Sequence, residues 1–175
     1  MRFTPLFALT ALPLAIAAVT VAGPAAARTQ SYRATLTGTE TTSATGSPAR
    51  GKAIVKVDTK AKRVSVEIDV TGIALDQLNK ALVAKPIGPV HFHQYRTADD
   101  VDAVLPVPYG PNYRATRDGF HVSMRDYAYA DGAKLLNNTD AFEDFVNALD
   151  AGRIVLNIHT EKFPDGEISG KVMPN

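Results

Sequence analysis

The sequence predicts a mainly β protein, folded as an antiparallel β-sandwich with two short helices in the connections between strands. Apolar and polar residues alternate with a period of two in about seven short runs, which is typical of strands that bury one face. Only two segments change to the wider spacing of an amphipathic helix. Many short strands with few helices favour a sandwich over an α/β fold.

The first residues have the layout of a secretory signal peptide. An early cation at Arg2 precedes an apolar run, and small residues follow it up to Ala27. Two prolines interrupt the run, which is shorter than the ~20 apolar residues that a membrane-spanning helix needs. We therefore expect cleavage of residues 1–27, and we expect residues 28–175 to form one periplasmic or secreted domain without an integral membrane segment.

Composition argues against several classes of function. The chain has 19 basic and 18 acidic residues, and this near-neutral balance argues against nucleic acid or an anionic membrane as a partner. It contains no cysteine, so disulfides and thiolate ligands are excluded. Any metal ion must then bind histidine, carboxylate or methionine side chains. No protein partner is indicated.

The clearest strand pattern lies in the first half of the predicted domain. Ala53, Val55 and Val57 alternate with polar residues in KAIVKVD (52–58), and valine and isoleucine alternate with polar residues in RVSVEIDV (63–70), on both sides of a short polar turn. This pattern predicts an antiparallel hairpin with one solvent-exposed face. The alternating run YRATLT (32–37) predicts a strand before it.

The second half combines strands with the two helices. Helical spacing predicts one helix over 74–84 and another that begins at Asp140 as N-cap, with Glu143 completing a capping box. Residues 96–118 are rich in Pro, Gly, Asp and Tyr without a clean period, and predict a long loop. Alternation predicts further strands in VHFHQY (90–95), GFHVSM (119–124), RIVLNIHT (153–160) and GEISGKVM (166–173).

The histidines are the candidate functional residues. Because residues two apart in a strand share a face, His91 and His93 lie opposite the apolar valine and phenylalanine of VHFHQY. His159 likewise lies opposite the apolar face of RIVLNIHT. If these two strands are neighbours, the three imidazoles converge. His121 in GFHVSM is a fourth candidate ligand.

Three or four neutral imidazoles suit copper, zinc or nickel better than the hard cations, which prefer oxygen. We expect copper, with zinc as the alternative. Since a free imidazole is protonated below about pH 6.5, such a site is expected to weaken at pH 5. The acids expected to accept hydrogen bonds from the free ring nitrogens are Asp99, Asp100, Asp102 and Glu161.

The final segment, LDAGRIVLNIHTEKFPDGEISGKVMP, resembles the ending of the chordin-type CHRD domain, whose members typically read leucine, alanine-glycine, YVNVHT and P-x-GEIRG. Three earlier segments, YRATLTGTE, GKAIVKVDTKAKRVSVEIDVTGI and VHFH, resemble the family's opening strand, second hairpin and H-I-H. The centre, 96–138, departs from the family pattern, and Ser169 replaces its usual arginine. The resemblance implies a stand-alone exported CHRD domain over 28–175, a β-sandwich with no agreed enzymatic activity.

The motif residues of this ending also have a structural interpretation. Asn157 and Thr160 can satisfy backbone groups, and His159 can form a local hydrogen bond. Gly166 suits a turn. Together with Glu167 and Gly170, these residues are expected to shape the last hairpin.

A looser resemblance links the chain to copper/zinc superoxide dismutase, which has an H-x-H strand and a histidine on a late strand. It implies an immunoglobulin-like or superoxide-dismutase-like sandwich in which His91, His93 and His159 bind copper and His121 is the remaining ligand. The chain lacks the zinc-loop histidine cluster and the cysteine pair of that family. The resemblance therefore implies metal binding rather than dismutation.

Three functions stay open at this point. The favoured one is a non-catalytic exported module that binds or buffers copper in the periplasm. The second is a metal-free structural or adhesive module. The third is a copper-dependent redox enzyme related to superoxide dismutase, in which Arg96 or Arg114 lines the path of an anion.

Overall fold

The computed structural model describes residues 29–39, 44–97 and 100–175, so the predicted signal peptide and Asp99 lie outside the described residues. The strands within them are β1 (Thr29–Thr37), β2 (Arg50–Asp58), β3 (Arg63–Thr71), β4 (Val90–Tyr95), β5 (Val101–Val107), β6 (Tyr113–Ala115), β7 (Gly119–Ala128), β8 (Ile154–Ile158), β9 (Ile168–Lys171) and β10 (Met173–Pro174). The helices are a 3₁₀ turn (Leu75–Gln77), α1 (Lys80–Val83), α2 (Tyr129–Leu136) and α3 (Phe142–Asp150). None of these helices is long and apolar enough to cross a membrane.

The predicted hairpin is confirmed as β2 and β3. These strands pair antiparallel over their full length, from Arg50 opposite Thr71 to Asp58 opposite Arg63. Buried and more exposed residues alternate along both strands, as expected for strands with one face on the core. The turn between them places Lys62 at a left-handed φ of 54°.

All strands join one antiparallel sheet in the order β5-β4-β8-β9-β1-β2-β3-β7-β6, and β10 also pairs with β1. Strand β1 lies along the whole of β2 but meets β9 in register only where Thr37 faces Ser169. The sheet curls into a sandwich-like half-barrel, which confirms the predicted class. At its open side, the Tyr113 hydroxyl of β6 donates to the Val107 carbonyl of β5 over 2.7 Å.

One continuous apolar core fills the space inside the curled sheet. The helix α3 adds Phe145 and Leu149, which are fully buried. The helix is also tied to β1, because the Tyr32 hydroxyl donates to Asp150 Oδ1 over 2.7 Å. The largest fully buried side chains of the strands are Tyr32, Leu36, Ile68, Phe92, Leu105, Phe120, Ile154 and Leu156.

The two predicted helices exist in altered form. Residues 74–84 form a 3₁₀ turn and then the one-turn helix α1, because the side chain of Asn79 accepts from the Leu82 amide and starts a new turn. The second helix, α3, has Ala141 as its N-cap, and the predicted cap at Asp140 is wrong. The Asp140 carboxylate instead binds the Arg96 guanidinium at 2.5 Å.

The helix α2 and the strands β5 and β6 were not predicted. Pro106 interrupts the strand pattern of β5, but β5 is an edge strand, where a missing amide hydrogen is tolerated. Gly132 weakens the helical pattern of α2. A Cβ there would lie 2.8 Å from the Pro106 ring, so glycine lets α2 pack closely on β5.

Candidate metal centre

Three of the four histidines meet on one face of neighbouring strands. Strand β8 pairs with β4, and this register places His91 opposite Asn157 and His93 opposite Val155. His159 follows β8 directly, and its amide donates to the Pro89 carbonyl over 2.9 Å. All three side chains therefore project from the same side of the sheet, away from the apolar core.

The three rings are packed against one another. The centroid of the His91 ring lies 4.6 Å from that of His93 and 4.5 Å from that of His159, and the His91 and His159 rings are nearly parallel. One nitrogen from each ring lies within 4.8 Å of the other two. Nitrogens bound to one tetrahedral ion lie about 3.4 Å apart, so ion binding needs the nitrogens to approach by roughly 1 Å and the stacked His91 and His159 rings to turn toward the ion.

Backbone carbonyls orient two of the rings. His91 Nδ1 donates to the Gly88 carbonyl over 3.0 Å, and His159 Nδ1 donates to the Pro164 carbonyl over 2.8 Å. Since Nδ1 carries the hydrogen in both rings, each Nε2 keeps a free lone pair. Metal-binding histidines commonly donate their second ring nitrogen to a carbonyl in this way. His159 Nε2 and His93 Nδ1 are buried and have no hydrogen-bond partner.

Other segments of the protein cover the face of the sheet that carries the histidines. The alternation pattern indicates only that this face points away from the core. His91 is 3% exposed and His159 is 7% exposed, while His93 is partly exposed. The connection after the 3₁₀ turn runs beside the end of β8. The Asn79 amide donates to the His159 carbonyl over 3.1 Å, and the Glu161 amide donates to the Gln77 carbonyl over 2.9 Å.

This burial keeps the imidazoles neutral. Burial, with the neighbouring His159 and His93 rings, lowers the pKa of His91 to about 3. Burial and the His159 ring lower the pKa of His93 to about 4, and burial also lowers the pKa of His159. In the folded protein His91 and His93 therefore keep their ring lone pairs at pH 5, so the site should weaken there less than the pKa of a free imidazole implies.

The lowered pKa values predict a loss of stability in acid for the metal-free protein. An unfolded chain protonates histidine near pH 6.5, whereas the folded chain protonates His93 only near pH 4 and His91 near pH 3. In this interval the unfolded state binds more protons than the folded state. The free energy of unfolding is therefore unaffected by these two rings above pH 6.5 and decreases as the pH falls. Each of the two residues should lower the free energy of unfolding by about 1 kcal/mol per pH unit.

Urea unfolding between pH 7.5 and 4.5 measures this slope. The variant His93→Asn, which lacks one of the two titrating rings, should show a shallower fall than the wild type. Equal slopes in the two proteins would show that His93 is not held neutral by the fold.

His121 lies apart from the other three histidines. It is on β7, which five strands separate from β4 in the sheet order. Its Nδ1 is 2.7 Å from Asp69 Oδ1 and its Nε2 is 3.1 Å from Glu67 Oε2, both across the pair with β3. The structure therefore does not bring the fourth predicted ligand into the cluster.

The acids expected around the histidines have other partners. Asp100 and Asp102 bind the Arg96 guanidinium, which also binds Asp140. Glu161 Oε1 accepts from the Lys80 amide over 2.5 Å. The carbonyls of two loops take the place of these carboxylates, and no side-chain pattern in the sequence could have indicated them.

Arg96 is bound by carboxylates, and Arg114 lies far from the histidine cluster. The three carboxylates that surround Arg96 occupy its donors, so this cation is not free to attract an anion. Arg114 lies on β6 and faces His121 of β7. Neither arginine forms a cationic path at the cluster.

The motif residues hold the loop that follows His159. Glu167 Oε1 accepts from the Ser47 hydroxyl over 2.6 Å, and Glu167 Oε2 accepts from the Thr160 hydroxyl over 2.7 Å. Thr160 Oγ1 also accepts from the Phe163 amide over 3.2 Å. These bonds fix both ends of the loop, and thereby the Pro164 carbonyl that orients His159.

Two further motif residues meet within this loop. Asn157 Nδ2 donates to the Asp165 carbonyl over 3.3 Å. Gly166 has a φ of 121°, and a Cβ on it would lie 2.3 Å from Asn157 Oδ1. Only glycine fits this turn while Asn157 keeps its position.

The comparisons with known proteins place the chain in a family. No curated protein and no solved structure matches it, so the resemblance to copper/zinc superoxide dismutase gains no support. The family model of the CHRD domain matches residues 32–172, which include His91, His93 and His159 and the motif residues from Asn157 to Gly170. The chain therefore belongs to the CHRD-domain family.

Proposed function

We propose that this CHRD-domain protein is an exported binding module that holds one transition-metal ion on His91, His93 and His159. The observation that carries the proposal is the convergence of three ring nitrogens within 4.8 Å. The two carbonyls that hold Nδ1 of His91 and His159 leave Nε2 of both rings available to an ion.

The donor set favours copper, with zinc as the alternative. Three neutral imidazoles without a carboxylate or thiolate match the borderline ions at the end of the first transition row, and copper(II) binds such nitrogen sites more tightly than zinc(II). Calcium and magnesium need six or more oxygen ligands or waters and fit poorly here.

The proposed role is metal binding or buffering in the periplasm, and not redox catalysis. The engaged donors of Arg96 argue against a guided path for an anionic substrate. Export is supported by the signal-peptide pattern that ends at Ala27 and by the extracellular setting that is typical of CHRD domains.

Calorimetric titration of the chelator-treated protein with copper(II) and with zinc(II) tests the proposal. We expect one ion per chain, and we expect little loss of affinity between pH 7.5 and pH 5.5, because the ring pKa values lie well below that interval for His91 and His93. The variant His121→Ala should bind with the affinity of the wild type. A titration without specific uptake would leave the metal-free structural or adhesive module as the function of the protein.

A further inference from the structure

Buried polar side chains are concentrated around the histidine cluster. Those of the described residues are Ser47, His91, Gln94, Asn157, His159, Thr160 and Ser169. Of these, Gln94 lies on β4 but on the face opposite the histidines. Ser47 and Thr160 are already paired with Glu167, whereas the buried atoms without a partner at this place belong to His93, Asn157, His159 and Ser169. Buried polar atoms are costly when unpaired, so the grouping of these four favours a bound polar ligand.

Asn157 and Ser169 extend the cluster across the sheet. In register, His91 of β4 faces Asn157 of β8, which faces Ser169 of β9. Directly opposed side chains in such pairs have Cβ atoms about 5 Å apart. The amide group of Asn157 is therefore the polar side chain next to the His91 ring on the β8 side.

Both of these side chains have an unused hydrogen-bonding atom. Asn157 is 7% exposed and Ser169 is 1% exposed. Asn157 Nδ2 is held by the Asp165 carbonyl, but Asn157 Oδ1 and Ser169 Oγ are buried without a partner. An unpaired buried acceptor of this kind is destabilising, and neither atom contributes to the core.

An ion held by three histidines has a coordination position left open. Zinc sites that carry three protein ligands keep a water molecule in the fourth position, and buried waters make about three hydrogen bonds to polar groups. A water on the ion would need an acceptor beside the cluster. Asn157 Oδ1 is the buried, unpaired acceptor that lies directly across from His91.

We propose, on the basis of the proposed function, that the bound ion carries an exchangeable water molecule and that Asn157 Oδ1 accepts a hydrogen bond from it. Asn157 is then a positioning residue, and Ser169, its cross-strand neighbour on β9, carries the second buried and unpaired oxygen. The centre is an open site that exchanges its water for small ligands such as hydroxide or a monoanion, and not a closed structural site.

The test uses the copper(II)-loaded protein in H2O and in D2O. Electron–nuclear double resonance at copper(II) detects the protons of a metal-bound water and their replacement by deuterons. We expect this exchangeable signal in the wild type, and a change of the copper spectrum when azide replaces the water. Copper uptake without an exchangeable water signal would overturn this inference but leave the proposed function intact, whereas absence of uptake would contradict the proposed function itself.

Variants at Asn157 show whether this residue positions the water. Asn157→Leu should weaken copper binding by 10–100-fold, the usual effect of removing a residue that supports a metal ligand, and should alter the water signal. Asn157→Asp keeps an oxygen acceptor but loses the donor to the Asp165 carbonyl, so it should bind copper more tightly than Asn157→Leu and recover the water signal. Asn138→Leu is the matched control, since Asn138 Nδ2 is also buried and unpaired but lies in the turn before α3. Equal binding by Asn157→Leu and Asn138→Leu would overturn the role given to Asn157.

Discussion

The variant His93→Ala is expected to bind copper(II) and zinc(II) at least about 100-fold more weakly than the wild type. The removal of a supporting residue around a metal typically costs 10–100-fold, and the removal of a direct ligand costs more. A 100-fold loss equals about 2.7 kcal/mol of binding free energy. His93 is the best position for this change because it is partly exposed, so its truncation disturbs packing less than truncation of His91, which is 3% exposed.

The control for this variant is His121→Ala. His121 is bound to Asp69 and Glu67 on the far part of the sheet, and its loss should leave metal affinity unchanged. Thermal unfolding gives a second readout, since one hundredfold excess of ligand over the dissociation constant adds about 2.7 kcal/mol to stability. If His93→Ala kept the affinity of the wild type, the assignment of this ligand would be wrong.

Replacing Gly170 with alanine is expected to destabilise the fold by about 3 kcal/mol or more. A Cβ on Gly170 would lie 2.0 Å from the Thr35 carbonyl oxygen and 2.8 Å from its carbon. These are backbone atoms of β1, so relief requires β1 and β9 to separate. Gly170 faces Leu156 across the β8 pair and points to the core side, where β1 crosses closely.

Urea unfolding of Gly170→Ala at neutral pH measures this effect, with Gly110→Ala as the matched control. A Cβ on Gly110 would meet only the Asn112 side chain, at an ordinary distance of 3.6 Å. That variant should stay within about 0.5 kcal/mol of the wild type, as surface substitutions usually do. Similar stabilities for the two variants would show that β1 can move away from Gly170 at little cost in free energy.

Strand alternation predicted most of the sheet because one face of each strand is buried. The prediction of the β2 and β3 hairpin is confirmed, since Ala53, all of its valines and Ile68 face the core, while its polar residues and Ile54 lie on the other face. Strand β5 was missed because several successive residues up to Val107 are buried and Pro106 interrupts the pattern. A local period does not reveal an edge strand whose second face is covered by α2.

The same reasoning explains the outcome for the site. Alternation indicates which residues share a face, and so it placed His91, His93 and His159 together once β4 and β8 became neighbours. It does not indicate which part of the sheet a strand occupies, and His121 therefore stood among the candidates until the strand order separated it. The carbonyls of Gly88 and Pro164 leave no trace in side-chain patterns.

Burial of the cluster could not be predicted from the strands themselves. The segments beside it are the connection at Gln77–Asn79 and the loop after His159, which Glu167 joins to Ser47 and Thr160. These segments have no strand period. The burial lowers the pKa values of His91 and His93 and so reduces the sensitivity of these two rings to mild acid.

A crystal structure of the zinc-loaded protein, with anomalous diffraction measured on both sides of the zinc absorption edge, tests the central claim most directly. We expect one strong anomalous peak between His91, His93 and His159, with ring nitrogens at the ~2.0 to 2.1 Å typical of zinc and imidazole. A peak at His121, or a fully folded protein without a peak at the cluster, would contradict the three-histidine metal centre.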